Sequence, residues 1–506
     1  MAKLQTLQDV PTKVDAKSIV NNNGVLKVSN SFIREMSNFV SAKDFGAKGD
    51  GITDDTTAIQ AALNSLTDLG GIVDLPTGKY KITSSITVPQ GVTLRGSGRS
   101  NATSTDYSTR VSPNFDGDVF ILGGAWSRVE SFTITHSGTP TSGNAIYAED
   151  VADPSAENIY IVNTFNGVNF VACNTPLLDN VHCVNLKGAY GFKTEGNSVL
   201  GNSDSHLFRN ISGGFLGTGP SGYKHLIHGN YTNSGKTIGY RFVKGDFGVV
   251  CEGTTDDADD IWFIGGGCDN QVDDAFRFTS GQNIFITDAW AGQAGQYGVL
   301  LNTDFTGNLT AKGLRIRGAG NRGFYALGGS NIHLSESLIG QNGTDTSNTY
   351  AGVELKDVDT VTISGGTYGT LAAGGSNQQK YGILCSGSTD NVMISGANLI
   401  GNLTANFASS ASGNEIYVVN CLGYKTEAYG TKSAAFSSNV FSFAHGLNTT
   451  PEYVNATIIS SSENDRFIVD TSGDATNINI SIFDISSNNL ISSGTHSISW
   501  IAKARN

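Results

Sequence analysis

The chain has 506 residues, with 63 Gly against 9 Pro, 38% hydrophobic residues and a formal charge of −13. Evenly spread apolar residues exclude a disordered chain, and the negative balance excludes nucleic acid and anionic membrane as main partners. Glycine together with abundant Asn, Ser and Thr suits short strands joined by tight turns, because Gly and Asn tolerate positive φ.

In chain order, MAKLQTLQDV (1–10) lacks the apolar core of a signal peptide, and no segment is long and apolar enough to span a bilayer. A soluble, cytoplasmically made protein without membrane insertion is expected. Residues 1–40 read as a polar lead-in with one short helix over 29–38 (SNSFIREMSN). Residues 41–115 open on KDFGAKGDGITDDTTAIQAAL (43–63), where Thr53 or Asp54 is placed to cap a helix beginning near Asp55. Ile59, Ala62 and Leu63 recur at helical spacing, fit to cover the open end of whatever follows. Residues 70–98 then alternate as strands do.

From 116 to 430 the chain repeats. Gly117, Gly143, Gly167, Gly191, Gly248, Ala275, Gly298, Gly323, Gly352 and Gly382 each precede alternating apolar residues, mostly at steps of about 23–31 residues. Second strands recur between them, as in NIFITDAW (283–290) and TVTISGGTYG (360–369). Period-two alternation without helical stretches predicts a parallel β-helix, its core filled by columns of like residues. Cys173, Cys183, Cys251, Cys268, Cys385 and Cys421 form no CxxC pair and are read as reduced residues, several of them in that core. Past about 431 the glycine register stops, and residues 431–506 read as a small antiparallel β-sandwich that closes the solenoid's end.

Several motifs in this order resemble one superfamily. Asp44-Phe45-Gly46-Ala47, Gly49-Asp50-Gly51, Thr53-Asp54-Asp55-Thr56, Ala58-Ile59-Gln60-Ala61-Ala62, Leu75-Pro76-Thr77-Gly78-Lys79-Tyr80 and Gly96-Ser97-Gly98 are similar to the start of the pectate-lyase-like β-helix as bacteriophage tailspikes and capsule depolymerases carry it. FAHGLNTTPEYV (443–454) resembles sandwich domains that end phage fibres and spikes. The resemblance implies an all-β chain: a right-handed parallel β-helix with a short N-terminal helix cap and a C-terminal antiparallel β-sandwich. It further implies a homotrimer on the virion that binds and cleaves bacterial capsular or lipopolysaccharide glycan. The C-terminal domain would serve trimerisation or carbohydrate binding. Residues 1–40, short for a large head-binding domain, would attach to the phage tail, baseplate or an adaptor protein.

With no metal motif, phosphate loop or nucleophile elbow, no cofactor or metal is expected, and chemistry falls to side chains on the coil surface. Glycoside hydrolysis needs a carboxylic acid and a second carboxylate, which a β-helix can place on neighbouring turns. Asp246 and Asp273 fall at equivalent positions before Gly248 and Ala275, with Asp274 adjoining and Glu252 close after. Like charges stacked in this way raise one pKa. Asp246, Asp273 and Glu252 are therefore candidate catalytic residues. His136, Asn163, Asn185, Asp288 and Glu336 read as a second column, with Trp290 and Arg315 equivalent two positions on; Asp288 is a further catalytic candidate. Trp290, Arg315, Arg317, Glu336, Tyr325 and His228 are assigned to substrate binding, through ring stacking and guanidinium–carboxylate pairing. Glu195 shares the strand position of Glu252 two turns earlier and is read as too distant for one sugar bond. NTD (302–304) and RIR (315–317) are set aside as chance matches, and DDADD (256–260) as a solvated acidic run. A glycosidase is the first reading, β-elimination on a uronic-acid polymer the second, and a non-catalytic glycan adhesin the third.

Overall fold

The computed structural model describes residues 19–22, 25–28, 38–100, 108–217, 219–253, 258–371, 377–413, 415–436, 439–461, 467–484, 489–490 and 494–504. It divides into two compact units, Met1–Gly188 and Ala189–Asn506.

In the first unit Ile19–Asn22 pairs antiparallel with Val25–Val28; the helix expected over 29–38 lies, apart from Asn38, outside the described residues. Short strands then join three parallel sheets turn after turn. The first sheet takes Ile86–Val88, Phe120–Leu122, Asn144–Glu149 and Asn166–Val171. The second runs from Phe39–Ser41 to Leu177–Asp179, the third from Asp50–Asp54 to His182–Val184. Inward residues repeat in columns, such as Phe120, Ile146 and Val168, all fully buried.

The expected helix is Thr56–Asn64, and it buries Thr56, Ile59, Ala62 and Leu63. Asp54 receives the Thr56 amide at 3.1 Å and the Thr83 hydroxyl at 2.6 Å. The N-cap residue itself is Asp55, which makes no capping bond. Its buried carboxylate instead accepts the backbone N–H groups of Lys48 (2.6 Å) and Gly49 (3.0 Å), tying the glycine-rich lead-in to the helix start. Asp50 accepts the Ile52 and Thr53 amides, both at 2.8 Å, in a local turn. These acids hold a turn together.

The second unit continues the same plan. Its first sheet carries Tyr190–Glu195, Lys224–His228, Phe247–Cys251, Phe276–Phe278, Val299–Leu301, Phe324–Ala326, Val353–Lys356, Tyr381–Ser386 and Ala405–Ser409. Its second sheet runs from Leu207–Arg209 to Ile416–Val419 and its third from Ser212–Gly214 to Thr367–Tyr368. Leu226, Val249, Phe276, Val299, Phe324, Val353 and Ile383 form one inward column, fully buried. All six cysteines are free thiols and five are buried.

From Arg128–Glu130 onward, the corner after each second-sheet strand has a fixed conformation. Ser131, Asn158 and Asn180 in the first unit adopt positive φ there, as do Asn210, Gly239, Gly265, Asp288, Gly313, Glu336, Gly365, Gly396 and Asn420 in the second. This left-handed backbone favours Gly and Asn, which explains the composition. From Glu427 the strands become antiparallel: Glu427–Phe436, Gly494–Lys503 and Tyr453–Ser461 form one sheet. Phe441–Ala444, Asn477–Asp484 and Phe467–Gly473 form another. Phe443, Ile478, Ile480, Ile482, Ile498 and Trp500 make their shared core, so the C-terminal element is a β-sandwich.

Candidate functional site

In the second unit, the first-sheet strand Tyr190–Glu195 places Lys193 in register with Ile227 and Val250 on its outer face. One step further along, the Gly229 amide donates to the Thr194 carbonyl and the Glu252 amide to that of His228, both at 2.9 Å. Glu195, Gly229 and Glu252 therefore occupy three successive rungs. Glu195 pairs with Lys193 at 2.5 Å, and both Glu252 oxygens face the Lys224 ammonium, at 2.9 and 2.8 Å. A Cβ on Gly229 would come within 2.9 Å of the Glu195 Cβ and 3.2 Å of its Oε2, so the glycine leaves the Glu195 carboxylate space over the middle rung. Both acids line one groove of about 410 Å³, with Ile227 in its floor and Thr279 and Asp304 along it. Two rungs span about 9.6 Å of backbone, and a carboxylate leaning across the middle one shortens that. Two carboxyl groups admit a water beside a glycosidic bond when they stand about 6.5–9.5 Å apart.

The structure separates the residues first grouped as catalytic. Asp246 and Asp273 do stack on consecutive turns, the Asp273 amide donating to the Asp246 carbonyl at 2.9 Å. They precede their strands, however, whereas Glu252 follows its own. Six residues of extended chain, about 20 Å, divide Asp246 from Glu252, too far to act on one bond. The Asp246 carboxylate is taken by the Gly222 amide. Burial raises the Asp273 carboxyl, Arg277 opposes this, and the Asp246 charge adds to it. Asp274 is the fully buried member. Burial pushes it up to about 6 although Arg277, at 2.6 Å, and the Tyr297 amide, at 3.1 Å, pull the other way. Arg277 also covers the Phe247 ring at 4.2 Å. This group clips neighbouring turns together.

Asp288 and Glu336 also part from their expected column. They sit at the corner after the second sheet, while His136, Asn163 and Asn185 follow third-sheet strands. Both corners use left-handed turns, which is why their sequences look alike. A Cβ on Gly313 would meet the Asp288 carboxylate, so that side chain lies along the next rung of the corner. Glu336 is exposed and faces Lys312 at 3.6 Å, a solvent-screened pair. Trp290 is in register with Arg315 on the third sheet, as expected, and Arg317 is two residues on. The Trp290 ring lies against Gly267 and Gly292 and is 37% exposed. Tyr325 is on the outer face of the first sheet but 8% exposed. The Arg322 guanidinium covers it at 4.2 Å and also pairs with Glu354.

His228 is a correction. It points into the solenoid with no exposed surface, stacked on His206 at 4.8 Å, and its ring nitrogens have no hydrogen-bond partner among the described residues. It does not reach a substrate. Asp304, set aside with the NTD match, lines the groove instead; its only sequence signal was a position two turns beyond Glu252. Of the acidic run 256–260, residues 256 and 257 lie outside the described residues. Among the described residues no group of three or more His, Cys, Asp or Glu is arranged to hold a metal ion, and no helix is long and apolar enough to cross a membrane.

Residues 39–211 match the family described as "Rhamnogalacturonase A/epimerase, pectate lyase-like". The capsule K30/K69-specific depolymerase 1 of Klebsiella phage K5-2 is 31% identical over 105 residues, 21% of this chain and 13% of that protein. Alginate lyase 7 of Azotobacter vinelandii is 58% identical over 43 residues, 8% and 5% respectively. The chain spans between 8% and 13% of the length of the first curated relatives it matches. Among solved structures, bacteriophage phi29 gene product 12 superposes with a TM-score of 0.58 at 16% identity, covering 78% of this chain and 57% of that one. The tailspike of Pseudomonas phage LKA1 superposes at 0.50 with 11% identity, covering 92% and 100%. The chain carries a parallel β-helix, the fold it shares with these two solved structures, and the match to the pectate-lyase-like family model lies within residues 39–211.

Proposed function

We propose that the chain is the glycan-cleaving part of a phage tailspike, acting on bacterial surface polysaccharide by hydrolysis with inversion. The observation that carries this reading is the pair Glu195 and Glu252 on one groove, two rungs apart across Gly229. Glu252, gripped through both oxygens by Lys224, is the carboxylate that takes a proton from water. Glu195 protonates the departing glycosidic oxygen. Asp304 lies two turns beyond Glu252 and orients the next sugar's hydroxyls. Similarity to a capsule depolymerase and to a tailspike supports a virion location and a polysaccharide substrate. Trimerisation, attachment through residues 1–40, and an assembly or glycan role for residues 431–506 belong to the same proposal.

The lyase reading has its own support: two lysines, Lys193 and Lys224, stand beside the groove acids, and one matched segment is similar to an alginate lyase. In β-elimination a lysine would neutralise the uronate or abstract its α-proton. Incubation with capsular polysaccharide of susceptible bacteria separates these readings. Hydrolysis releases reducing ends without absorbance from unsaturated uronates, and elimination gives both. Glu195→Gln and Glu252→Gln should each lower hydrolysis by about 10²–10⁴-fold, while Asp246→Asn leaves it near the wild-type rate. Full activity in Glu252→Gln refutes the assignment. Absence of either signal on any polysaccharide that the protein binds leaves an adhesin.

A further inference from the structure

The outer face of the second sheet carries a ladder of rings with one rung unfilled. Lys236, Trp262, Phe285, Thr310 and His333 are in register on successive turns. The Lys236 ammonium lies over Trp262 at 5.5 Å, and Trp262 stacks on Phe285 at 4.9 Å with their planes 9° apart. One face of Phe285 is thereby used, and the other is turned toward the next rung. There the short Thr310 side chain leaves room, and the next ring is His333. A cavity of about 260 Å³ occupies this gap, lined by Phe285, Thr310, His333 and the asparagines 283, 308 and 331. Two rungs amount to about 9.6 Å, so a ring inserted at the level of Thr310 would lie about 4.8 Å from each neighbour, a normal stacking distance.

The edge of the gap is polar and ordered. Asn283 donates to Asp259 at 3.1 Å, Asn308 to Asn283 at 2.9 Å and Asn331 to Asn308 at 3.0 Å. Each primary amide has two donors and two acceptor lone pairs. The ladder consumes one donor and one lone pair at Asn283 and at Asn308, leaving one of each to face outward. An apolar ring pressed on this edge would leave those groups unpaired, at a cost. A ring bearing hydroxyls, each both donor and acceptor, would satisfy them. No Asp, Glu, Lys or Arg lines the cavity.

We propose that this cavity is a second glycan subsite, which takes the pyranose ring of a neutral sugar between Phe285 and His333, with its hydroxyls on Asn283 and Asn308. It is on a different sheet from the acidic groove, so it holds the polymer without taking part in cleavage. The proposal rests on the reading of the protein as a glycan binder but not on the catalytic assignment. The test uses methyl glucopyranosides and methyl galactopyranosides as probes, with saturation-transfer NMR on the full chain. Wild type and Glu252→Gln should show transfer to the pyranose protons of at least one probe at millimolar concentration. Thr310→Phe, which fills the rung with an exposed and well-stacked ring, should weaken that binding at least tenfold while folding and mass in solution stay unchanged. Three results overturn the proposal: no probe binds, Thr310→Phe binds as wild type does, or Thr310→Phe changes the oligomeric state, which makes the ladder a subunit contact. Loss of binding in Glu252→Gln would also overturn it, by placing the sugar in the acidic groove. Failure of the wild type to cleave any polysaccharide leaves this readout untouched.

Discussion

Lowering the pH from about 7.5 to about 5.0 should weaken the second unit through three imidazoles sealed in its core. His206, His225 and His228 are fully buried among Phe208, Phe242 and Phe263. Burial holds His206 and His225 down to about 3, the Val243 backbone opposing slightly at His225. It drives His228 well down too, with His206 adding to the effect. The folded value is depressed, so the stability is present above the unfolded value of about 6.5 and is lost as pH falls, because only the unfolded chain takes up the proton. Between 6.5 and 5.0 His206 and His225 each remove about 2 kcal/mol, 1.5 units at 1.36 kcal/mol each. The window lies wholly above the folded values of these two, so the unfolded histidine alone sets this magnitude. His206 and His225 together give about 4 kcal/mol, and His228 adds to the loss in the same direction.

Asp274 acts with the opposite sign. Its folded carboxyl is held up to about 6, so protonation of the fold below that value returns about 1.4 kcal/mol by pH 5. The net loss is then about 3 kcal/mol from these groups, with His228 adding to it. Denaturant midpoints from far-UV circular dichroism, at two pH values and one protein concentration, measure it. His225 lies parallel to Phe242 at 5.1 Å, 6° between planes, so His225→Phe keeps a ring and removes a titration. It should reduce the pH-dependent loss by about 2 kcal/mol, whatever it does to stability at pH 7.5. A wild type equally stable at both pH values, or a His225→Phe variant with the full loss, would refute the reasoning.

Asp55→Ala leaves the Lys48 and Gly49 amides without their buried acceptor and should cost about 3 kcal/mol or more. Asp54→Ala, which loses more exposed bonds, should cost about 1 kcal/mol; the reverse order in thermal unfolding would contradict the roles given to the two. Gly229→Ala puts a methyl 2.9 Å from the Glu195 Cβ and should cut polysaccharide cleavage at least tenfold with the circular dichroism spectrum intact. Unchanged turnover there would mean that Glu195 does not act over that rung. Asp288→Gly frees a left-handed corner position, φ 51°, and should leave stability equal or higher by up to about 1 kcal/mol, with cleavage within twofold. A hundredfold loss would instead make Asp288 the catalyst.

The solenoid was legible because inward positions such as Phe276, Val299 and Phe324 repeat the same chemistry on every turn, and a repeat is visible without knowing what lies opposite. Register was harder. In KHLIH (224–228) two apolar residues are adjacent, Leu226 facing in and Ile227 facing out, so alternation alone did not show that His228 shares the phase of Leu226. The corners misled for a related reason: left-handed turns after the second and third sheets draw on the same small set of residues, and Asp288 could be aligned with either. Glu195 was visible in the column of Glu252 and Asp304 as an acid, but not the groove that all three line, since that depends on what the intervening rungs lack. That last point has a general physical basis. A stack of nearly identical turns offers a ligand no cavity until one rung carries a smaller side chain than its column. Gly229 between two glutamates and Thr310 between two rings are such places, and each is defined by the absence of atoms that only the assembled register reveals.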